Sequence, residues 1–404
     1  MLWLEKLEDI PKGQKFIIPI QSDQFKHWTQ NRISFIYGLN LETDEEFILG
    51  FNHNDLTNVE ILRLNEFLGK DNYILNSKYL IDCTGNFEAN LVSWFNVNKK
   101  IEVQFSNIIR SYQVQFSNKE NINDCIPIMK WLEWCREVKD EFLIHFDEFE
   151  LTESFIKYNQ LINDLVEIEK NGLFSNNNFE HCEYNPFTLT GRPSNHFNNI
   201  NYAALNKSDG SRSRFISRHN KGFLIEIDLS GFHLYLIYLM INQKFPENVY
   251  EELLKFYPKD VNPKDYTFRQ IYGGIDRDLL EIEPFKSINN VSRNIFKTYK
   301  SGNLKTFLFE KPMVLEQGLN QWKVFNYMLQ NLETEFNANL LQRLNELLKE
   351  KQTKLILYTY DSFLFDFSPL EGQTLIKQII EIFKDIPIHI KVGINYNDLK
   401  EIKI

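Results

Sequence analysis

Asp228 and Asp361 are the residues of this sequence best placed to do chemistry. Each interrupts or ends an apolar run: Asp228 closes FLIEID within residues 223–229, and Asp361 stands between LILYTY and SFLFDF. A lone Asp at a strand end commonly turns the chain by bonding local backbone. Two of them weaken that reading, because an isolated buried charge is costly unless it is paired or bound to metal. On adjacent strands they could bridge divalent cations about 3.5–4 Å apart, the arrangement used for in-line phosphoryl transfer. Magnesium suits such a site, since it prefers oxygen ligands and keeps its waters. Glu226 lies two residues before Asp228 on the same strand face, either as a third carboxylate or as a solvated edge residue.

The elements that must position these residues follow from local patterning. Residues 16–21, 33–41 and 46–51 are short β-rich runs, and Pro19 places the first at an edge or near a bulge. From Ile126 to Lys170 the pattern is helical, and an apolar face at Ile162, Leu165, Val166 and Ile168 stops at Asn171-Gly172, a good C-cap. Residues 264–273 read as a short helix, with Pro263 in its first turn and Asp260 or Asn262 as its cap. A long amphipathic helix runs from about Leu319 to Lys349. Lys354–Phe367 is a hairpin bent at Asp361.

Composition narrows the class. With 55 acidic and 45 basic side chains among 404 residues the formal charge is -10, which excludes a simple basic nucleic-acid coat. Local charge differs: residues 191–221 hold six Lys or Arg against Asp209 alone, and residues 286–311 hold six against Glu310 alone. These stretches are either solvated faces or phosphate-backbone tracks. No apolar run reaches membrane-span length, and the first residues do not read as a signal peptide. The four cysteines lack CxxC spacing and read as buried thiols of a reducing compartment, so a cytoplasmic protein is expected.

Taken together, the motifs resemble those of family A DNA polymerases, in the family's order and over roughly residues 155–404. Glu169-Lys-Asn-Gly172 is similar to ExxG before the thumb. Thr190-Gly191-Arg192-Pro193-Ser194 with Asn198-Asn199-Ile200 is similar to TGRLSS…QNI, and Arg212-Ser-Arg-Phe215 to RxxF. Asp228-Leu-Ser-Gly-Phe-His-Leu234 resembles motif A, Lys264-x3-Phe268-x3-Tyr272-Gly273 motif B, and Tyr360-Asp361-Ser362 motif C. Asn326-x3-Gln330 and Val392-Gly393-x-Asn395-Tyr396 resemble the helix before motif C and the closing segment.

The resemblance implies an α/β (α+β) fold: a right-hand polymerase palm with reduced fingers and a vestigial thumb, preceded by a degenerate exonuclease-like α/β domain. The corresponding ranges are 1–120 for that domain, 121–187 for a helical connector and vestigial thumb, and 188–404 for palm and fingers. It implies template-directed addition of dNTPs to a primer 3′-hydroxyl. Asp228, Asp361 and the backbone carbonyl of Leu229 would hold two Mg²⁺ ions, with Mn²⁺ as an alternative. Lys264, Phe268, Tyr272 and His233 would bind the nucleotide. Arg192, Arg212, Asn326, Gln330, Gly273 and Tyr360 would bind primer and template.

Departures from the family pattern carry further expectations. His233 replaces the motif A Glu that excludes ribonucleotides, which opens relaxed sugar selectivity or primase activity as an alternative; a catalytically lost nucleic-acid-binding protein is another. Only 18 positions separate Gly172 from Thr190, too few for two helices of about 15 residues each, so low processivity or a processivity partner protein is expected. The exonuclease FDxE positions read Ile18-Pro19-Ile20-Gln21 and the second motif ends in Leu80, so proofreading is not expected. Compactness suits a phage or mobile element, with the host cytoplasm as its place of action.

Overall fold

The computed structural model describes residues 1–402. The chain divides into two compact units, Met1–Val166 and the part from Glu167 onward.

The first unit is built on a mixed sheet of β1 (Leu2–Leu4), β2 (Lys15–Gln21), β3 (Ile33–Asn40), β4 (Glu46–Gly50), β5 (Tyr73–Ile74) and β6 (Phe87–Glu88), in the order β1-β4-β3-β2-β5-β6. β2, β3 and β4 form an antiparallel meander, while β5 runs parallel to both β2 and β6. Alternate residues of β2 serve two cores, as the period of two requires. Ile17 packs with Ile36, Phe47, Leu49 and Ile74. Phe16 stacks at 4.0 Å on Phe142 of α4 (Ile128–Phe146). The other helices of this unit are α1 (Leu64–Leu68), α2 (Asn90–Val97) and α3 (Asn107–Gln115); α5 (Glu153–Asn171) carries the chain onward. Pro19 sits in an inner strand, not at an edge. It is tolerated because β5 pairs only with Phe16 and Ile17, and the β2–β3 ladder shifts register between Ile20 and Gln21.

In the second unit α5 ends at Gly172, whose φ of +60° suits a residue without a side chain. Short strands follow: β7 (Leu173–Ser175), β8 (Asn178–Glu180), β9 (Tyr184–Asn185), β10 (Ser194–Phe197), β11 (Ile200–Asn201) and β12 (Phe215–Ile216). The interval between Gly172 and Thr190 thus holds a hairpin and a strand, and no helix.

The scaffold of the candidate site is an antiparallel sheet of β13 (Phe223–Leu229), β14 (Lys354–Thr359), β15 (Ser362–Phe367), β16 (Ile388–Gly393) and β17 (Lys400–Ile402), in the order β14-β15-β13-β16-β17. β13 is central, which explains its near-continuous apolar sequence. Its odd residues Phe223, Ile225 and Ile227 face α11 (Gly372–Ile382) across an apolar pocket shared with Ile376 and Ile379. Its even residues Leu224, Glu226 and Asp228 point to the opposite side. The remaining helices are α6 (Phe232–Met240), α7 (Val249–Leu254), α8 (Pro263–Gly273), α9 (Phe285–Lys300) and α10 (Gln321–Leu348).

α8 starts where expected. The Asn262 side chain accepts hydrogen bonds from the backbone N–H groups of Lys264 and Asp265, at 2.9 and 3.2 Å, and Pro263 occupies the first turn. α10 buries Val324, Phe325, Met328, Leu329, Leu332, Leu340, Leu341 and Leu344, but also the polar Asn331, Glu333, Glu335 and Asn337. Buried polar groups inside a long helix must find partners, and those partners define the site.

Candidate active site

The two candidate carboxylates meet at the mouth of the five-stranded sheet. Asp228 lies at the end of β13, opposite Ser362 in the adjacent β15. Asp361 occupies the two-residue turn between β14 and β15, beside Tyr360. The Leu229 N–H donates to the Asp361 carbonyl at 2.8 Å, fastening the turn to the strand that carries Asp228. The Asp361 carboxyl is pushed up to about 6, by desolvation first, then by the charges of Asp228 and Glu333. The residue itself reaches solvent.

Glu226 is buried beside Asp228 rather than solvated at an edge. Lys391 of β16 stands directly opposite it and pairs with both acids, at 3.1 Å from Glu226 Oε2 and 3.0 Å from Asp228 Oδ2. Burial works against the Lys391 charge, but Asp228 and Glu226 outweigh it, and its pKa is raised.

A second polar cluster is centred on Glu333, whose role sequence reasoning missed. Arg192 Nε lies 2.7 Å from Glu333 Oε2, and Arg192 Nη2 donates to Oε1 at 3.0 Å. His233 Nε2 lies 3.4 Å from Oε2. Burial alone would raise the Glu333 pKa, yet His233 and Arg192 hold it below the ordinary value. His233 Nδ1 is 2.5 Å from the Tyr272 hydroxyl. The legible signal for Glu333 was its place, one residue after Leu332 on the buried stripe of α10.

The Arg192 guanidinium also lies over the Tyr360 ring, 3.9 Å from its centroid. Tyr360 adopts φ +59°, a left-handed conformation uncommon for a bulky residue. It is held by that contact and by Asn337, whose side-chain N–H donates to the Tyr360 carbonyl at 2.6 Å. Residue 360 is therefore the hinge of the turn that aims Asp361.

On α8, Lys264 is exposed and its ammonium lies 5.9 Å over the Phe268 ring, while Phe268 stacks on Tyr272 at 5.6 Å. The three share a face, as spacing of four implies. Gly273 follows, and a Cβ there would meet no atom within 4 Å, so the surface beside the stack is open. Asn326 donates to the Tyr272 carbonyl at 3.1 Å, and its Oδ1 is buried without a hydrogen-bond partner. Gln330 lies half-buried one turn further along α10. Arg212 is engaged within the protein: its Nε donates to the Leu205 carbonyl at 2.9 Å, and its guanidinium covers the Tyr396 ring at 4.5 Å.

The basic stretches differ from a simple track. In residues 191–221, Arg192 pairs with Glu333, Arg214 with Glu180 and Arg218 with the fully buried Asp366, so three of the six cations knit the unit together. In residues 286–311, Lys311 is buried, whereas Arg293, Lys297 and Lys300 are exposed along α9.

Among the described residues, no group of three or more His, Cys, Asp or Glu has the geometry to hold a metal ion. The Asp228–Asp361 pair nevertheless fits a hard divalent cation, because Mg²⁺ takes one or two carboxylates and completes its sphere with water and substrate phosphate. Besides desolvation, the charges of Asp228 and Glu333 raise the Asp361 pKa, and such a cation would neutralise that negative charge.

No family model and no curated protein matches this chain. Among solved structures, it is similar to the polymerase domain of Pol1 from M. smegmatis in complex with DNA primer-template and dNTP. The TM-score is 0.61 and the identity 11%, over 95% of this chain and 96% of that one. The chain therefore has a mixed α/β fold matching that polymerase domain. Among the described residues, no helix is long and apolar enough to cross a membrane.

Proposed function

We propose that this protein is a template-directed DNA polymerase of family A type, adding dNTPs to a primer 3′-hydroxyl. The observation that carries the reading is the pair Asp228 and Asp361, brought to one sheet end by the Leu229–Asp361 hydrogen bond, where desolvation and then the Asp228 charge raise the Asp361 pKa. Asp228, Asp361 and the Leu229 carbonyl would hold two divalent cations, which when bound activate the 3′-hydroxyl and neutralise the leaving pyrophosphate. Lys264 supplies a point charge for the triphosphate, and the Phe268–Tyr272 stack offers a platform for the incoming base. The Arg192 N–H groups that do not face Glu333 remain for the primer strand. Gln330 and Asn326 supply donors for the minor groove, and Arg212 and Tyr360 line the primer side.

The domain assignment belongs to the same proposal: a degenerate exonuclease-like domain at 1–120, a connector and vestigial thumb at 121–187, and palm and fingers at 188–404. Absence of proofreading is supported by Pro19 and Leu80, both buried apolar side chains at positions where ligands would be needed. Low processivity is supported by the lack of helices between Gly172 and Thr190. Primer extension with Mg²⁺, comparing dNTPs with NTPs on DNA and RNA templates, tests the reading. Addition of dNTPs by the wild type, abolished by Asp228→Ala, is expected; addition that survives this substitution overturns it.

One observation favours a variant of this reading. His233, bonded to Tyr272, stands where the family resemblance puts the Glu that excludes ribonucleotides. A His233→Glu swap that sharpens dNTP over NTP selection would assign relaxed sugar choice to the imidazole.

A further inference from the structure

Glu226, Asp228 and Lys391 share one face of the sheet. Glu226 and Asp228 are two residues apart on β13, and Lys391 is the direct cross-strand partner of Glu226. The ammonium bridges the two acids at 3.1 and 3.0 Å. The other Glu226 oxygen, Oε1, accepts from the Ser362 hydroxyl at 3.3 Å, and the buried Tyr396 side chain also bonds this carboxylate, so both its oxygens are engaged inside the protein. Asp228 differs. Its Oδ2 faces Lys391, and its side chain is 33% exposed against 8% for Glu226. Glu226 and Asp228 thus share one ammonium, while Asp361 beside them also feels the Arg192 guanidinium.

We propose that Lys391 is a positioning residue that acts as a fixed internal cation, tying Asp228 in place and keeping Glu226 out of the metal ligand set. This rests on the reading of Asp228 and Asp361 as metal ligands. Without the ammonium, Glu226 would be two residues from Asp228 on the same face with an oxygen released. The site would gain one net negative charge and a third carboxylate ligand. Lys391 therefore holds resting metal affinity down, leaving tight binding to await the nucleotide phosphates. Both effects of removing it act in the same direction on a divalent cation.

The test is Mn²⁺ binding to the full chain without nucleic acid or nucleotide, followed by the electron paramagnetic resonance signal of free Mn²⁺. Asp228→Asn establishes that binding is at this site. Lys391→Met is expected to tighten Mn²⁺ binding about tenfold, the order of effect of one nearby charge. Lys391→Arg should keep the wild-type affinity, and Lys391→Met combined with Glu226→Gln should return it to within about twofold of wild type. An unchanged or weakened affinity in a folded Lys391→Met protein overturns the proposal, and a lowered melting temperature without tightened binding assigns Lys391 a structural role only. If the wild type binds Mn²⁺ in an Asp228-dependent way and Lys391→Met does not move it, this proposal fails alone. If binding does not depend on Asp228, the metal reading fails and takes this proposal with it.

Discussion

Each unit of the molecule contains carboxylates crowded by neighbouring groups, and they are treated in opposite ways. In the first unit, Glu88 is surrounded by donors. It accepts from the backbone N–H groups of Asn76, Ser77 and Asn90 at 3.1, 2.7 and 3.1 Å, and from the Asn90 side chain at 2.7 Å. Burial still raises its pKa, against the pull of those bonds. Its job is internal: it pins the 76–77 loop to the start of α2. In the second unit, Asp361 faces other carboxylates, and Asp228 has a single ammonium shared with Glu226. A carboxylate saturated by protein donors is architecture, whereas carboxylates left facing one another call for a cation from outside.

The largest expected difference is in function. Asp228→Ala or Asp361→Ala should lower single-turnover nucleotide addition by about a thousandfold or more, since each removes a ligand rather than a packing contact. Asp361→Ala should leave the thermal midpoint unchanged or raised, because it relieves repulsion, and Asp228→Ala, which also gives up the Lys391 pair, should move it little. A large loss of stability would break the comparison. Glu88→Ala should do the reverse. Stranding three backbone donors, that of Asn90 buried and those of Asn76 and Ser77 half-buried, should lower unfolding stability by about 2 kcal/mol, read by denaturant titration. If instead Glu88→Ala abolished nucleotide addition in a folded protein, the first unit would hold chemistry after all.

The contrast was half legible in the sequence. Asp228 and Asp361 stood out because each broke an apolar run, and an aspartate in such a run is costly enough to demand a reason. The helix starting at Pro263 and the hairpin bent at Asp361 followed from capping and turn chemistry, which act over a few residues. The pairings of Glu88, Glu333 and Lys391 were not legible. Their partners are 11–12 residues away for the Glu88 loop contacts, 141 for Arg192–Glu333 and 163–165 for Lys391 with Asp228 and Glu226. Local patterning carries no information about such pairings. For the same reason the cations of residues 191–221 read as a track: the acids that consume Arg192, Arg214 and Arg218 lie elsewhere in the chain.

Proton competition gives a smaller and graded effect. With its pKa near 6, Asp361 is protonated in mildly acid solution and cannot ligate a cation. Metal affinity should therefore fall as pH drops through about 6, shifting the Mg²⁺ dependence of nucleotide addition to higher concentration. Stability of the metal-free protein should run the other way. A carboxyl whose folded pKa is raised binds its proton more tightly in the native state, so its contribution is full below the unfolded pKa near 3.8 and is lost as pH rises to about 6. Asp361→Asn should flatten both trends. Identical pH profiles for Asp361→Asn and wild type would remove Asp361 from the pair.

The smallest effect sharpens the comparison by separating charge from acceptance. Asn262 is the neutral counterpart of Glu88: it too accepts N–H groups at the start of a helix, but it is exposed and uncharged. Asn262→Ala should cost about 1 kcal/mol, because water can replace what the side chain supplied. That corresponds to a shift of about 2–4 °C in thermal midpoint if the second unit melts as one body. The functional consequence should be confined to α8, which presents Lys264, Phe268 and Tyr272. Fraying its first turn loosens Lys264, one residue past Pro263, more than Tyr272, which the His233 and Asn326 contacts hold in place. The KM for the nucleotide should therefore rise several-fold while kcat changes little. A fall in kcat with KM unchanged would mean that the cap acts on the geometry of the carboxylates, and the two kinds of acceptor would no longer be separable.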